Sequence, residues 1–361
     1  MLLDIAQTAI DGLLVGGLYA TVAVGVTLVF GIMGILNFAH GQMVMLGAYV
    51  AYYSVTAGLG FWTGLGLAII CMGLFGLVLE RLVFRHTLTD HMAGLTVSLG
   101  IIMVVENLAA AVFTPDSRSF DPPLEGSVRL LGTTLSAQRL LVLALVLLLV
   151  GAFYLFLQKT RLGKAVRAMG QNRTGAALVG VQISHVTAIV FGIGSAMAGA
   201  AGVLYGSLFA ITPYMAAGPL MKGLILTVLG GLGSVPGAVI AGFLLGLAES
   251  FGSRYLSASF RDGYGFILMI IATVAAQHIP QTGPAAGAMN CIRAASSALI
   301  LSAAFTLGAH NLKSAFSVLV MLAAFASVLF FRVGAPIVVI TAGITGYVYQ
   351  RFFGQKKEVR Q

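Results

Sequence analysis

The sequence has 361 residues, of which 59% are hydrophobic and only 9% charged, with a mean hydropathy of +1.00. A soluble domain carries roughly 25% charged residues, so this composition excludes a soluble protein and points to a polytopic membrane protein. The net charge of +9 does not argue for nucleic acid as a partner. The cations fall in loops and at the C-terminus, the distribution by which Lys and Arg stay on the cytoplasmic side of a membrane.

The opening stretch, MLLDIAQTAIDG, is acidic and lacks the basic start of a cleavable signal, so the first helix is expected to remain in the mature protein. A spanning helix needs about 20 apolar residues, and residues 5–30 supply the first. Gly12, Gly16, Gly17, Ala20, Ala23 and Gly25 make it a packing helix rather than a lipid-facing one. Residues 31–49, GIMGILNFAHGQMVMLGAY, place Asn37, His40 and Gln42 among apolar neighbours. Polar groups at membrane depth are costly unless buried in protein or facing water. Two readings are open: a broken or re-entrant helix near the translocation path, or a short extramembrane turn capped by Asn37 with His40 merely hydrogen-bonded.

A span over residues 61–79, with Trp62 as an interface anchor, leads to the loop 80–91, whose Arg81, Arg85 and His86 mark it as cytoplasmic. The next span, 93–113, contains Glu106, expected near the outer surface where a carboxylate is cheap. The polar loop 114–139, with short β-like runs, is expected outside. Residues 140–157 return to the most cationic loop, 159–182, which holds Lys159, Arg161, Lys164, Arg167 and Arg173 and no acid. Its second half, NRTGAALVGV, suits a short helix on the membrane surface or against a partner. Spans follow at about 186–210, 215–232, 239–251 and 264–276. The glycine-rich linker 230–242 is expected to make a tight turn between closely packed helices.

This order puts the N-terminus outside and both cationic loops inside. Cys71 and Cys291 both lie in apolar stretches and define no disulfide, metal or redox motif. The chain contains no GxxxxGK[ST], HExxH or GxSxG, so nothing points to nucleotide binding by a Walker motif, to an intramembrane enzyme or to a cofactor. His40 alone is read as a buried structural histidine rather than a catalyst.

Four blocks in order carry a resemblance: LYATVAVGVTLVFGIMGILNFAHGQMVMLGAYVA (18–51), TRLGKAVRAMGQNRTGAALVGV (160–181), FGIGSAMAGAAGVLYG (191–206) and LTVLGGLGSVPGAVIAG (226–242). Over residues 4–276 the chain closely resembles the permease subunits of ABC importers for branched-chain amino acids. The resemblance implies an all-α transmembrane bundle of about eight core spans with broken or re-entrant helices, in a bacterial inner membrane. It implies as partners a second permease, two ATPase subunits and a periplasmic binding protein delivering leucine, isoleucine or valine, besides membrane lipid. It also implies that the segment 172–181 couples to the ATPase. From the residues themselves, Arg167, Asn172, Thr174, Ala177, Leu178 and Gly180 are expected to carry the coupling, with close packing the alternative for Ala177 and Gly180, and Asn37, His40 and Gln42 are expected on the path. Arg167 has a plainer alternative, as a headgroup anchor.

Residues 277–361 add an apolar tail of two or three helices. From about residue 287 the tail resembles part of a chromate transporter, which implies a fusion junction at residues 278–287. Without that family's glycine-rich motifs it is not expected to carry chromate alone. The rival function is a secondary transporter, for instance of an oxyanion. That class needs intramembrane charges, for which the sequence offers chiefly Glu106 and, in the tail, Arg293.

Overall fold

The computed structural model describes residues 2–276, apart from residues 36, 88–90, 122, 131–132 and 259–260. The expected tail helices and the junction at 278–287 lie outside the described residues. Helices α1 (Leu2–Met33) and α8 (Ile183–Gly206) form the axis of a bundle. Their apolar windows are 89% and 83% buried, against 11% for α4 (His91–Phe113) and 22% for α5 (Ala137–Lys159). Lipid tails are as apolar as Leu, so greasy surface alone does not select a helix's neighbours; close backbone approach does, and small residues permit it.

Glycine spacing decides the packing. Gly12 and Gly16 of α1 meet Gly242 and Gly246 of α10 (Val235–Tyr255), two GxxxG stripes face to face. A methyl group at Gly16 would stand 2.6 Å from the Gly242 carbonyl oxygen, so no larger residue fits without moving a helix. On α8, Gly199 abuts Gly47 of α2 (His40–Thr56) on one side and Ala68 and Met72 of α3 (Gly60–Leu82) on the other. The carpet of small residues in GIGSAMAGAAG is what lets α8 serve two neighbours at once.

Six described helices, α1, α3, α4, α5, α8 and α10, are long and apolar enough to cross a membrane, and α9 (Ala217–Leu229) is a shorter apolar helix. With α2 (17 residues) and α11 (Arg261–Ala276, 16 residues) they make the all-α polytopic bundle expected from the sequence. Two short helices, the amphipathic α6 (Arg161–Gln171) and the six-residue α7 (Arg173–Leu178), link α5 to α8. The short β-like runs of the 114–139 loop form a hairpin, β1 (Ser127–Leu130) antiparallel to β2 (Thr133–Ser136), with Ser127 opposite Ser136.

The helices sort the loops into two ends. At one end the start of α1 meets the start of α5 (Asp11–Arg139, 2.6 Å) and the close of α10 (Asp4–Arg254, 3.3 Å). Arg118 of the 114–139 loop bridges there to Ile211, just beyond α8. At the other end the close of α1 lies beside α6 and the turn after α9, with Gly31 against Gly170 and Gly233. The 3-10 turn Phe84–Thr87 also sits there, Arg85 donating to the Ser184 carbonyl. The loop 114–139 therefore shares an end with the N-terminus, opposite both cationic loops, as the sequence order required.

The glycine-rich linker is shorter than expected. Only residues 230–234 turn; Ser234 caps α10 by accepting the Gly237 N–H (3.2 Å), and Pro236 sits in the first turn, where its missing N–H costs nothing.

Candidate functional site

The elbow between α5 and α8 is built from the cap inward. Thr160 Oγ1 accepts the Gly163 N–H (2.9 Å) and starts α6. Val166 and Met169 turn into a cluster with Leu28, Ile32, Phe153 and Val186, while Arg161, Lys164 and Arg167 face out. Arg167 donates to Gln158 Oε1, back on α5. Asn172 Oδ1 then accepts the Gly175 N–H (2.8 Å) and starts α7.

α7 is held by one small anchor. Ala176 is buried in the same cluster, and Thr174 and Ala177 face solvent. The helix ends in a Schellman pattern: the Gly180 N–H donates to the Ala177 carbonyl and the Val181 N–H to the Ala176 carbonyl, both at 3.0 Å. Gly180 has φ +87°, which L side chains rarely adopt, so the pattern needs its glycine. This stop throws the next apolar residues outward. Leu178 is 84% exposed and Val179 79%. These two exposed apolar residues stand beside exposed cations and form a candidate interaction surface. The six coupling residues predicted from the sequence thus share one elbow: Arg167 stands on α6, and Asn172, Thr174, Ala177, Leu178 and Gly180 run along α7 and its cap.

The polar stretch before α2 is a second feature. Gly34, at φ +68°, turns the chain back after α1. α2 then starts inside the bundle: His40 lies against Gly25, eight residues before the end of α1, or about 12 Å at 1.5 Å per residue. Asn37, His40 and Gln42 are all buried. Asn37 Oδ1 accepts the Ala39 N–H (3.0 Å), so the turn is capped by Asn37 and also lies at depth. His40 faces α1, against Gly25, whereas Gln42 turns to α4 and donates to Glu106 Oε2 at 3.4 Å. The three side chains are neighbours in sequence and do not converge on one point. Asn37 Nδ2, His40 Nε2 and Gln42 Oε1 have no partner among the described residues.

Sequence reasoning missed a buried ionic cluster. Glu249 of α10, wholly buried, accepts from Lys222 of α9, from Tyr19 of α1 (3.1 Å) and from Arg261 at the start of α11 (3.4 Å). Lys222 also meets Asp262 at 3.1 Å. The signal was present: Lys222 is a lone cation in the apolar run AGPLMKGLILTVL. A second buried carboxylate, Glu80 at the close of α3, takes Arg85 (3.3 Å) and Thr187 of α8 (3.3 Å) beside the elbow. Glu106 is partnered by Gln42, and among the described residues Glu80 and Glu249 are more deeply buried carboxylates than it.

A helical bundle with six helices, among the described residues, long and apolar enough to cross a membrane defines a multi-pass membrane protein. A family model for the permease component of branched-chain amino acid transport systems matches residues 8–274. The chain is 32% identical over 283 residues to the high-affinity branched-chain amino acid transport system permease protein LivH of Salmonella typhimurium and of Escherichia coli, covering 73% of this chain and 91% of the relative. It is 31% identical to BraD of Pseudomonas aeruginosa, a protein of the same description, over 92% of that relative. No solved structure matches. The chain belongs to the branched-chain amino acid transport permease family, and is a multi-pass transport permease of the inner membrane rather than an enzyme. The family match ends at residue 274, and these matches lend no support to the chromate-transporter likeness of the tail.

Proposed function

We propose that this chain is the transmembrane subunit of an ATP-driven importer of branched-chain amino acids. It pairs with a second permease, receives two ATPase subunits at the elbow, and takes its substrate from a periplasmic binding protein. The observation that carries the reading is the exposed Leu178–Val179 tip, set on a cationic loop by a capped short helix. A bundle with no Walker motif takes its driving force from elsewhere. An ATPase shifts the bundle between states only through contacts that differ between them. α7 is placed to carry such contacts inward, because Ala176 sits in the same cluster as α1, α5 and α8.

In this reading the elbow end is cytoplasmic, by the positive-inside trend, and the end holding Asp4 and loop 114–139 is external. Asn37, His40 and Gln42 lie on the path, their free polar atoms available when the helices part. Residues 277–361 are an appendage to the permease domain 1–276. The test is uptake of labelled leucine into proteoliposomes. Uptake is expected only when both permeases, the ATPases, ATP and the binding protein are present; uptake by the permeases alone contradicts the proposal.

The buried Lys222–Glu249 pair favours a second reading, ion-gradient-driven transport, more than the sequence alone did. Leucine uptake by the permeases alone, driven by an imposed ion gradient, is its signature.

A further inference from the structure

A cavity of about 510 Å³ opens at the Asp4 end, between α1, the start of α5, the residues after α8 and the close of α10. Its charges balance: Asp4, Asp11 and Glu249 against Arg139, Arg254 and Arg261. Its apolar wall is Leu14, Val15, Leu208 and Phe209. We propose that this cavity is a receiving site for a free, aliphatic, zwitterionic α-amino acid. Arg139 and Arg254 take the carboxylate, Asp4 and Asp11 the ammonium, and the apolar wall takes the side chain. The inference rests on the reading of the chain as an importer with this end outward.

The two kinds of ion pair in the cavity differ in what they permit. Asp11–Arg139 and Asp4–Arg254 have partly exposed side chains (32% and 50%, 53% and 59%). Such pairs are worth little and open readily. A zwitterion carries its two charges a few atoms apart and can exchange partners with an open Asp–Arg pair without leaving a charge unmatched. Glu249 is different: wholly buried and held by Lys222, Tyr19 and Arg261, it is a fixed floor. The hydroxyl of Ser253, another wall residue, is buried and has no partner among the described residues. A lone anion or cation would unbalance the site. The volume lies in the ~300–1,000 Å³ range of small-molecule sites, and the apolar wall suits a side chain without polar groups.

The experiment uses the full chain with its partner permease in nanodiscs, without binding protein, and equilibrium dialysis with labelled L-leucine. Saturable binding is expected, displaced by L-valine and at least tenfold less well by 4-methylpentanoate or 3-methylbutylamine, each of which keeps the side chain and one charge. Arg139→Gln should weaken binding at least tenfold. Ala258→Trp, which fills the cavity from an exposed rim position, should abolish it without touching a charge. Absence of saturable binding, equal displacement by the singly charged analogues, or binding unchanged in both variants overturns the site. Import by the complete complex is measured on the same preparation. Import without dialysis binding sinks the site alone, whereas a complex that imports no branched-chain amino acid sinks the importer reading as well.

Discussion

At the scale of single residues, the buried charges separate structure from sequence most clearly. Lys222 announces itself as a cation in an apolar helix, but nothing in the local pattern says that Glu249, 27 residues later, accepts from it, or that Tyr19 and Arg261 complete the shell. Pairing of that kind is tertiary. Its energetics are asymmetric. Removing one partner of a buried pair costs about 3–5 kcal/mol, whereas replacing the whole pair with apolar residues is often nearly neutral. Glu249→Leu leaves Lys222 its Asp262 contact but takes from Arg261 its carboxylate partner, while Lys222→Leu leaves Glu249 its Arg261 and Tyr19 contacts. Thermal unfolding of the purified variants should therefore rank Glu249→Leu below Lys222→Leu, with the double variant more stable than Glu249→Leu alone. Equal losses in the two single variants would show that the charges are not coupled as described.

Among the elements, the long helices were legible because runs of about 20 apolar residues have few other uses. The GxxxG stripe of α1 was legible as a packing face, although its partner on α10 was not. The turn before α2 was legible only as one of two alternatives: Asn37 does cap a turn, as the second reading had it, but the turn is buried in the bundle rather than lying outside it. α10 was underestimated, because the glycines of SVPGAVIAG read as a turn; Ser234 and Pro236 are start signals, and Gly237 and Gly242 are contacts. Of the elbow, α6 was not legible; the short helix after Asn172 was, since its cap and its breaker are local. Gly180 tests it. Gly180→Val forces a β-branched residue into left-handed backbone, at a cost of roughly 1–2 kcal/mol, and so loosens the Schellman stop. No atom lies within 4 Å of a Cβ added there, so the bundle itself should assemble normally. The expected result is ATP hydrolysis by the assembled complex with at least tenfold less leucine import; unchanged import per ATP hydrolysed would remove Gly180 from the coupling role.

For the molecule as a whole, the account depends on sidedness. The ion pairs of Asp4 and Asp11 and the bridge from Arg118 gather one set of loops, and the α6–α7 elbow, the Phe84–Thr87 turn and the turn after α9 gather the other. Cation counts give the expectation that the elbow's set faces the cytoplasm; that the elbow carries a bare apolar tip was not legible, because exposure of Leu178 depends on where α7 stops. The most direct measurement places a single cysteine at Leu178, in a chain with Cys71 and Cys291 changed to Ser, and follows its reaction with a membrane-impermeant maleimide in oriented vesicles. The account predicts labelling only from the cytoplasmic face, slowed at least tenfold once the ATPase subunits are bound. Labelling from the external face, or a rate that the ATPase leaves unchanged, would contradict it.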